Sequence, residues 1–218
     1  MDVEIGPLDL SAHVDEALAV QAVAFGLSAD EVAVRRQIVQ RHMNHPGARA
    51  FGATTADGRL VGFVYGMPND RAHWWSTVVE PYLRARGLDH WLDDAFVITE
   101  LHVHPDHQNR GIGRTLITTI TDTATEPRSI LSAIDTESPA RALYRSLGYE
   151  DLARHVLFPS APPPLRRDGR PPCRCAARRA RPDRFPAAPA PRITSWHHPY
   201  AAGVREPWRT HRSSACPS

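Results

Sequence analysis

Apolar residues recur at helical spacing in two early segments. Val14, Leu18, Ala22 and Phe25 share one face of a helix over 12–25, capped by Ser11. A second helix starts at Ser28 or Asp30 and runs to about residue 42, with Val34, Ile38 and Val39 turned inward. The pattern then changes period. Residues 48–54 and 59–67 are β-rich, and Asp57-Gly58 between them is a hairpin signal. Gly62 and Gly66 mark a close backbone approach or a bulge. An insert over 69–94, helical at about 77–86, leads to a strand over 96–103. A helix over 111–125 follows, striped by Ile112, Leu116 and Ile120, and then a short strand over 129–134. Ser138 caps a helix with Pro139 in its first turn, where proline is tolerated. Ala140, Leu143, Tyr144 and Leu147 share a face of that helix, and Gly148 ends it. A strand over 149–158 comes last, and residues 3–9 read as a first strand. Strands alternating with helices late in the chain argue for an α/β layer fold.

The segment most telling of chemistry joins the strand over 96–103 to the helix after it. There Gln108-Asn-Arg-Gly-Ile-Gly113 leads from a strand into a helix N-terminus. Such a turn aims backbone N–H groups and partial positive charge at one spot, which suits a phosphate. Gly111 and Gly113 admit a ligand that a Cβ would keep away. A dinucleotide fingerprint would need a third glycine where Leu116 stands. A Walker loop would need Gly-Lys-Ser/Thr, and the chain contains no lysine.

The remaining form, Q-x-x-G-x-G, resembles motif A of the GNAT superfamily of N-acetyltransferases. The second family pattern, A-x-x-L-Y-x-x-x-G-[FY], is matched at Ala140, Leu143, Tyr144, Gly148 and Tyr149. Two motifs about 30 residues apart, each on the expected element, are far more specific than either alone. The resemblance covers roughly residues 3–158. It implies a GNAT-type acyl-CoA N-acyltransferase fold, a central mixed twisted sheet flanked by helices, and acetyl-CoA as co-substrate without a metal. Two departures stand out: Glu137 occupies a position where the family often has Asn, and the strand that usually follows the last one here has no counterpart in the pattern.

The resemblance also implies site residues. Leu101, His102 and Val103 would offer backbone bonds to the pantetheine arm. Gln108, Asn109, Arg110, Gly111, Ile112, Gly113 and Arg114 would wrap the pyrophosphate. Tyr144 is the candidate acid for the leaving thiolate, since a phenol is protonated at neutral pH. Glu100 is the candidate base, directly or through water, with His102 as the alternative; strand alternation puts both on one face. Trp74, Trp75, Asp93 and Asp94 are expected to shape the acceptor side, the tryptophans as walls and the carboxylates as attractors of a cationic amine. The tryptophans read equally well as pins for a surface loop, and Tyr144 reads equally well as a core tyrosine. His102 and His104 lack a third metal ligand.

Composition changes abruptly near residue 159. Residues 1–158 carry 14 Arg against 21 acids, whereas residues 159–218 carry 12 Arg against 3 acids, 13 of the 20 prolines and all three cysteines. The tail has no periodic apolar face and is expected to be disordered. Its readings are a basic nucleic-acid or membrane arm, a metal site from Cys173, Cys175, His197 and His198, or translation out of frame; disorder or the last is favoured. The domain is therefore expected to span 1–158, with no specific nucleic-acid or membrane partner and homodimerisation left open. No basic-then-apolar leader and no run of about 18 apolar residues is seen, so a cytoplasmic protein is expected. Abundant Arg, Ala, Gly and Pro without lysine point to GC-rich coding DNA and a bacterial source. The function expected is acetyl transfer from acetyl-CoA to a primary amine of a small molecule or protein; the alternative is an impaired acyl-CoA-binding protein.

Overall fold

A computed structural model describes residues 3–158 and the backbone of 200–205. The elements are β1 (Val3–Pro7), α1 (Val14–Phe25), α2 (Ala29–Met43), β2 (Arg49–Thr55), β3 (Leu60–Pro68), α3 (Trp74–Arg84), β4 (Ala95–Val103), α4 (Ile112–Asp122), β5 (Arg128–Ile134), α5 (Pro139–Ser146), β6 (Glu150–Val156) and β7 (Tyr200–Arg205). They build a mixed seven-stranded sheet in the order β1-β2-β3-β4-β5-β7-β6, in which only β4 and β5 run parallel. Helices cover both faces. Ile112, Leu116, Ile117 and Ile120 of α4 pack on Val64, Phe96, Ile98 and Leu131. On the other face α1 and α2 cover Phe63 and Tyr65, and α3 covers Val97 and Ile130.

Two local features set the site. First, Tyr65 pairs with Glu100 while Gly66 pairs with Ile98, so Thr99 is an extra residue in β4, a β-bulge. Gly66 is required there, because a Cβ would lie 2.4 Å from the Val97 carbonyl oxygen. Second, β4 pairs with β5 only over Ala95–Ile98. Beyond Ile98 the two strands part, and β5 continues against β7. The sheet therefore opens as a V whose sides are the end of β4 and the end of β5.

Several expectations need correction. Ser11 does not cap α1; Asp9 organises that turn by accepting from the Ser11 and Ala12 N–H groups. In α2 the inward stripe is Arg35 and Val39, while Val34 and Ile38 are exposed. The two stripes lie one residue apart around the helix, and the Glu100 carboxylate opposite Arg35 selects the polar one. Helix α3 begins at Trp74, earlier than the insert's pattern suggests. A strand does follow β6: β7 fits between β5 and β6, which pair with it and not with each other. Its Ala-Ala-Gly core carries no apolar stripe to announce it. The remaining expectations for the tail, including Cys173, Cys175, His197 and His198, lie outside the described residues.

Candidate active site

On the α4 side the V is lined with unused backbone groups. His104 N–H donates to the Val61 carbonyl, which makes the His104–Val61 pair a hydrogen-bonded one. In an antiparallel ladder such pairs alternate, so Glu100, His102 and His104 point their backbone groups at β3. Leu101 and Val103 point theirs into the gap. The Val103 carbonyl accepts from the Gln108 side chain at 3.0 Å, which ties the following loop to the strand end. Among the described residues, the N–H groups of Asn109, Arg110, Gly111, Ile112, Gly113 and Arg114 have no acceptor. Asn109 and Gly111 hold φ angles of 61° and 83°, which turn the chain sharply at the helix start. Nothing lies within 4 Å of where a Gly111 Cβ would stand. A Cβ on Gly113 would touch Leu143 of α5 and Val103 of β4, so the helix start, the strand end and α5 meet here. These features fit an anionic ligand with a long neutral arm: free N–H groups at a helix start for phosphate, and a strand edge for amide groups.

Arg110 has no partner among the described residues, whereas Arg114 is held by Ser146 Oγ at 2.6 Å and braces α4 against α5. Glu137 makes a two-pronged pair with Arg145. Tyr144 packs against the α4-side core beside Leu101 and Val103, with its ring 5.8 Å from Tyr149. Its hydroxyl has no hydrogen-bond partner among the described residues. Burial pushes the phenol well above its ordinary value, and the Tyr149 and Glu100 charges push it further.

The opposite side is built from side chains. Ile98 and Leu101 both pack toward α4, so Thr99 and Glu100 between them face α1 and α2. Glu100 Oε2 accepts from His102 Nε2 at 2.6 Å, and Oε1 accepts from Arg35 Nη1 at 3.3 Å. The Gln21 amide lies 3.2 Å from the same His102 nitrogen. Burial pushes the Glu100 carboxyl up, but the His102 hydrogen bond and charge, with Arg35 and Gln21, outweigh it and hold the group below the usual glutamate value. Glu100 is thus ionised at neutral pH. Phe25 meets the His102 ring edge-on at 5.1 Å. Behind them His42 contacts the Tyr65 hydroxyl at 3.1 Å and the His73 ring at 5.3 Å. Burial, with the neighbouring His73, lowers His42 to about 4.

The structure brings Glu100 and His102 together, brings the strand end and the loop over 108–114 to one gap, and sets α5, which carries Tyr144, against the helix start through Leu143. Trp75 lies at the far side of the V, its indole N–H donating to Ser132 of β5 at 2.9 Å. Trp74 stacks near Phe158 and is 44% exposed. Asp93 and Asp94 are not brought there. They precede β4 at its other end, ~20 Å along the strand from Glu100, and Asp93 is paired with Arg71 at 2.6 Å. Sequence reasoning missed Arg35, Gln21, Thr99 and His42. Only Gln21, a polar residue inside the apolar run of α1, carried a signal.

The site is thus a parted parallel strand pair with a free helix start on one side and, on the other, a half-buried carboxylate paired with a buried imidazole. Residues 47–151 match the family model described as an acetyltransferase (GNAT) domain. The chain is 25% identical over 189 residues to the GCN5-like protein acetyltransferase Rv2170 of Mycobacterium tuberculosis, covering 73% of this chain and 92% of that protein. Among solved structures it resembles the ribosomal-protein-S18-alanine N-acetyltransferase of Escherichia coli, at TM-score 0.57 and 13% identity over 99% of this chain and 100% of that one. It also resembles NAA60 of Arabidopsis thaliana, solved with a bisubstrate analogue, at TM-score 0.55 and 14% identity over 94% and 99%. The family model, the mycobacterial relative and the shared fold together support the GNAT superfamily, and within it a GNAT-family N-acetyltransferase. The family uses acetyl-CoA. Among the described residues, no group of three or more His, Cys, Asp or Glu is placed to hold a metal, and no helix is long and apolar enough to cross a membrane.

Proposed function

We propose that the chain moves the acetyl group of acetyl-CoA directly onto a primary amine, with the reacting carbonyl in the V between β4 and β5. The free N–H groups over 109–114 take the pyrophosphate, with Arg110 adding charge. The Leu101 and Val103 backbone takes the pantetheine arm, and the Val103 N–H is the donor nearest the thioester oxygen. The amine arrives from the side of Glu100 and His102. Its lone pair forms the C–N bond, its proton passes to Glu100, His102 or an intervening water, and the C–S bond breaks. The departing sulfur takes the Tyr144 proton. The acceptor amine belongs to a small molecule or a protein; the name of the mycobacterial relative favours a protein. A cytoplasmic site of action fits this chemistry.

The observation that carries this reading is the gap itself. It turns the Leu101 and Val103 backbone away from β3, beside six N–H groups over 109–114 that have no acceptor among the described residues, with Glu100 on the opposite face of β4. The test is free-thiol release from acetyl-CoA with a panel of amines. Amine-dependent release is expected. Tight coenzyme binding with no release across a broad panel would instead identify an acyl-CoA-binding protein.

A further inference from the structure

The acceptor-side face is centred on a carboxylate that is already committed. That carboxylate, Glu100, is engaged on both oxygens, by His102 and by Arg35. Asp15 is paired with Arg36, and Asp70 accepts from the Ala72 N–H group. Charges of both signs act on the histidines behind this face: Glu100 and Arg41 at His42, and Asp70 and Arg41 at His73. Arg35, by contrast, has donors to spare. It donates to Glu100 through Nη1 alone, and its Nε is buried with no acceptor among the described residues. A buried, unsatisfied donor on a charged group costs about 1–3 kcal/mol or more, and an acceptor supplied by a ligand would remove that cost. Part of each side chain stays open to solvent, 23% of Arg35 and 25% of Glu100.

Resting on the acetyl-transfer reading above, we propose that the acceptor carries a carboxylate a few atoms from its amine and that Arg35 is the residue that reads it. The amine goes to Glu100 and His102. The carboxylate takes the guanidinium edge that Glu100 leaves unused, in the two-pronged geometry that arginine favours. Charge then balances when it must: once the amine proton reaches the Glu100–His102 pair, Arg35 and that proton face two carboxylates. A free amino acid supplies such a group through its α-carboxylate, and a peptide through an acidic first residue.

The test compares kcat/KM for matched acceptors. One arm sets each natural amino acid against its C-terminal amide. The other sets peptides beginning with Asp or Glu against those beginning with Asn or Gln. At least one arm should favour the carboxylate by about tenfold, the factor expected of one charge-assisted pair. The arm that does so names the source. In Arg35→Gln that ratio should collapse toward one, and in Arg35→Lys it should fall part of the way. Ratios near one in both arms of the wild-type enzyme overturn the proposal even if Arg35→Gln fails to fold. A ratio that survives Arg35→Gln overturns the role of Arg35. Failure to acetylate any amine overturns the acetyl-transfer reading, and this proposal with it.

Discussion

The two sides of the V are made of different material. The side proposed for the coenzyme is backbone: N–H groups of a loop and helix start without acceptors among the described residues, shaped by Asn109 and Gly111 and closed by Gly113 against Leu143. The side proposed for the acceptor is side chains from four elements: Gln21 of α1, Arg35 of α2, Tyr65 of β3, and Glu100 with His102 of β4. Backbone recognition asks only for a turn geometry, so it leaves a compact, readable motif. Side-chain recognition is assembled across long sequence separations, and each residue looks ordinary where it stands.

That contrast can be broken from either side. The largest effect is expected for Glu100→Gln, which removes the base and leaves Arg35 without its partner. Turnover with amine should fall about 100-fold or more, while coenzyme affinity stays within about twofold; steady-state kinetics beside a coenzyme titration check this. Gly66→Ala comes next and damages both sides at once, because its Cβ meets the Val97 carbonyl at 2.4 Å and forces the bulge apart. A loss of about 3 kcal/mol in a denaturant titration is expected.

The acceptor side should also carry a pH signature. His42 titrates near 4 when folded and near 6.5 when unfolded, so protons favour the unfolded chain between those values. Its contribution is intact above pH 6.5 and is lost as the pH falls toward 4, by up to roughly 3 kcal/mol. Replacing His42 by Asn should flatten the fall in melting temperature over that window. The smallest effect is on the coenzyme side. Gly111→Ala keeps an open site but strains a φ of 83°, at about 1–2 kcal/mol. It should weaken coenzyme binding about tenfold with little change in the KM for amine, the mirror image of Glu100→Gln.

The same division decided what could be read from the sequence. Helices α4 and α5 were legible because their stripes and caps are local: Ile112, Leu116 and Ile120 on one, Ser138 and Gly148 around the other. The coenzyme loop was legible because its glycines answer a local backbone demand. Helix α2 was misread because Val34 and Ile38 make as good a stripe as Arg35 and Val39, and only a carboxylate 65 residues away decides between them. The pairing of Asp93 with Arg71 was not legible for the same reason, since the two lie 22 residues apart in sequence. Strand β7 was invisible because Ala201, Ala202 and Gly203 have almost no side chain with which to declare a face. Its place between β5 and β6 also answers how the last strand of the folded domain joins the sheet.

The central claim is that the two sides act on one reacting group, with Tyr144 as the proton donor reached through the gap. Tyr144→Phe keeps the packing against Tyr149 and removes only the hydroxyl, which has no partner among the described residues. Turnover and coenzyme affinity of this variant, measured side by side, test the claim most directly. Turnover should fall at least about 100-fold with affinity nearly unchanged. Turnover close to that of the wild-type enzyme would contradict it.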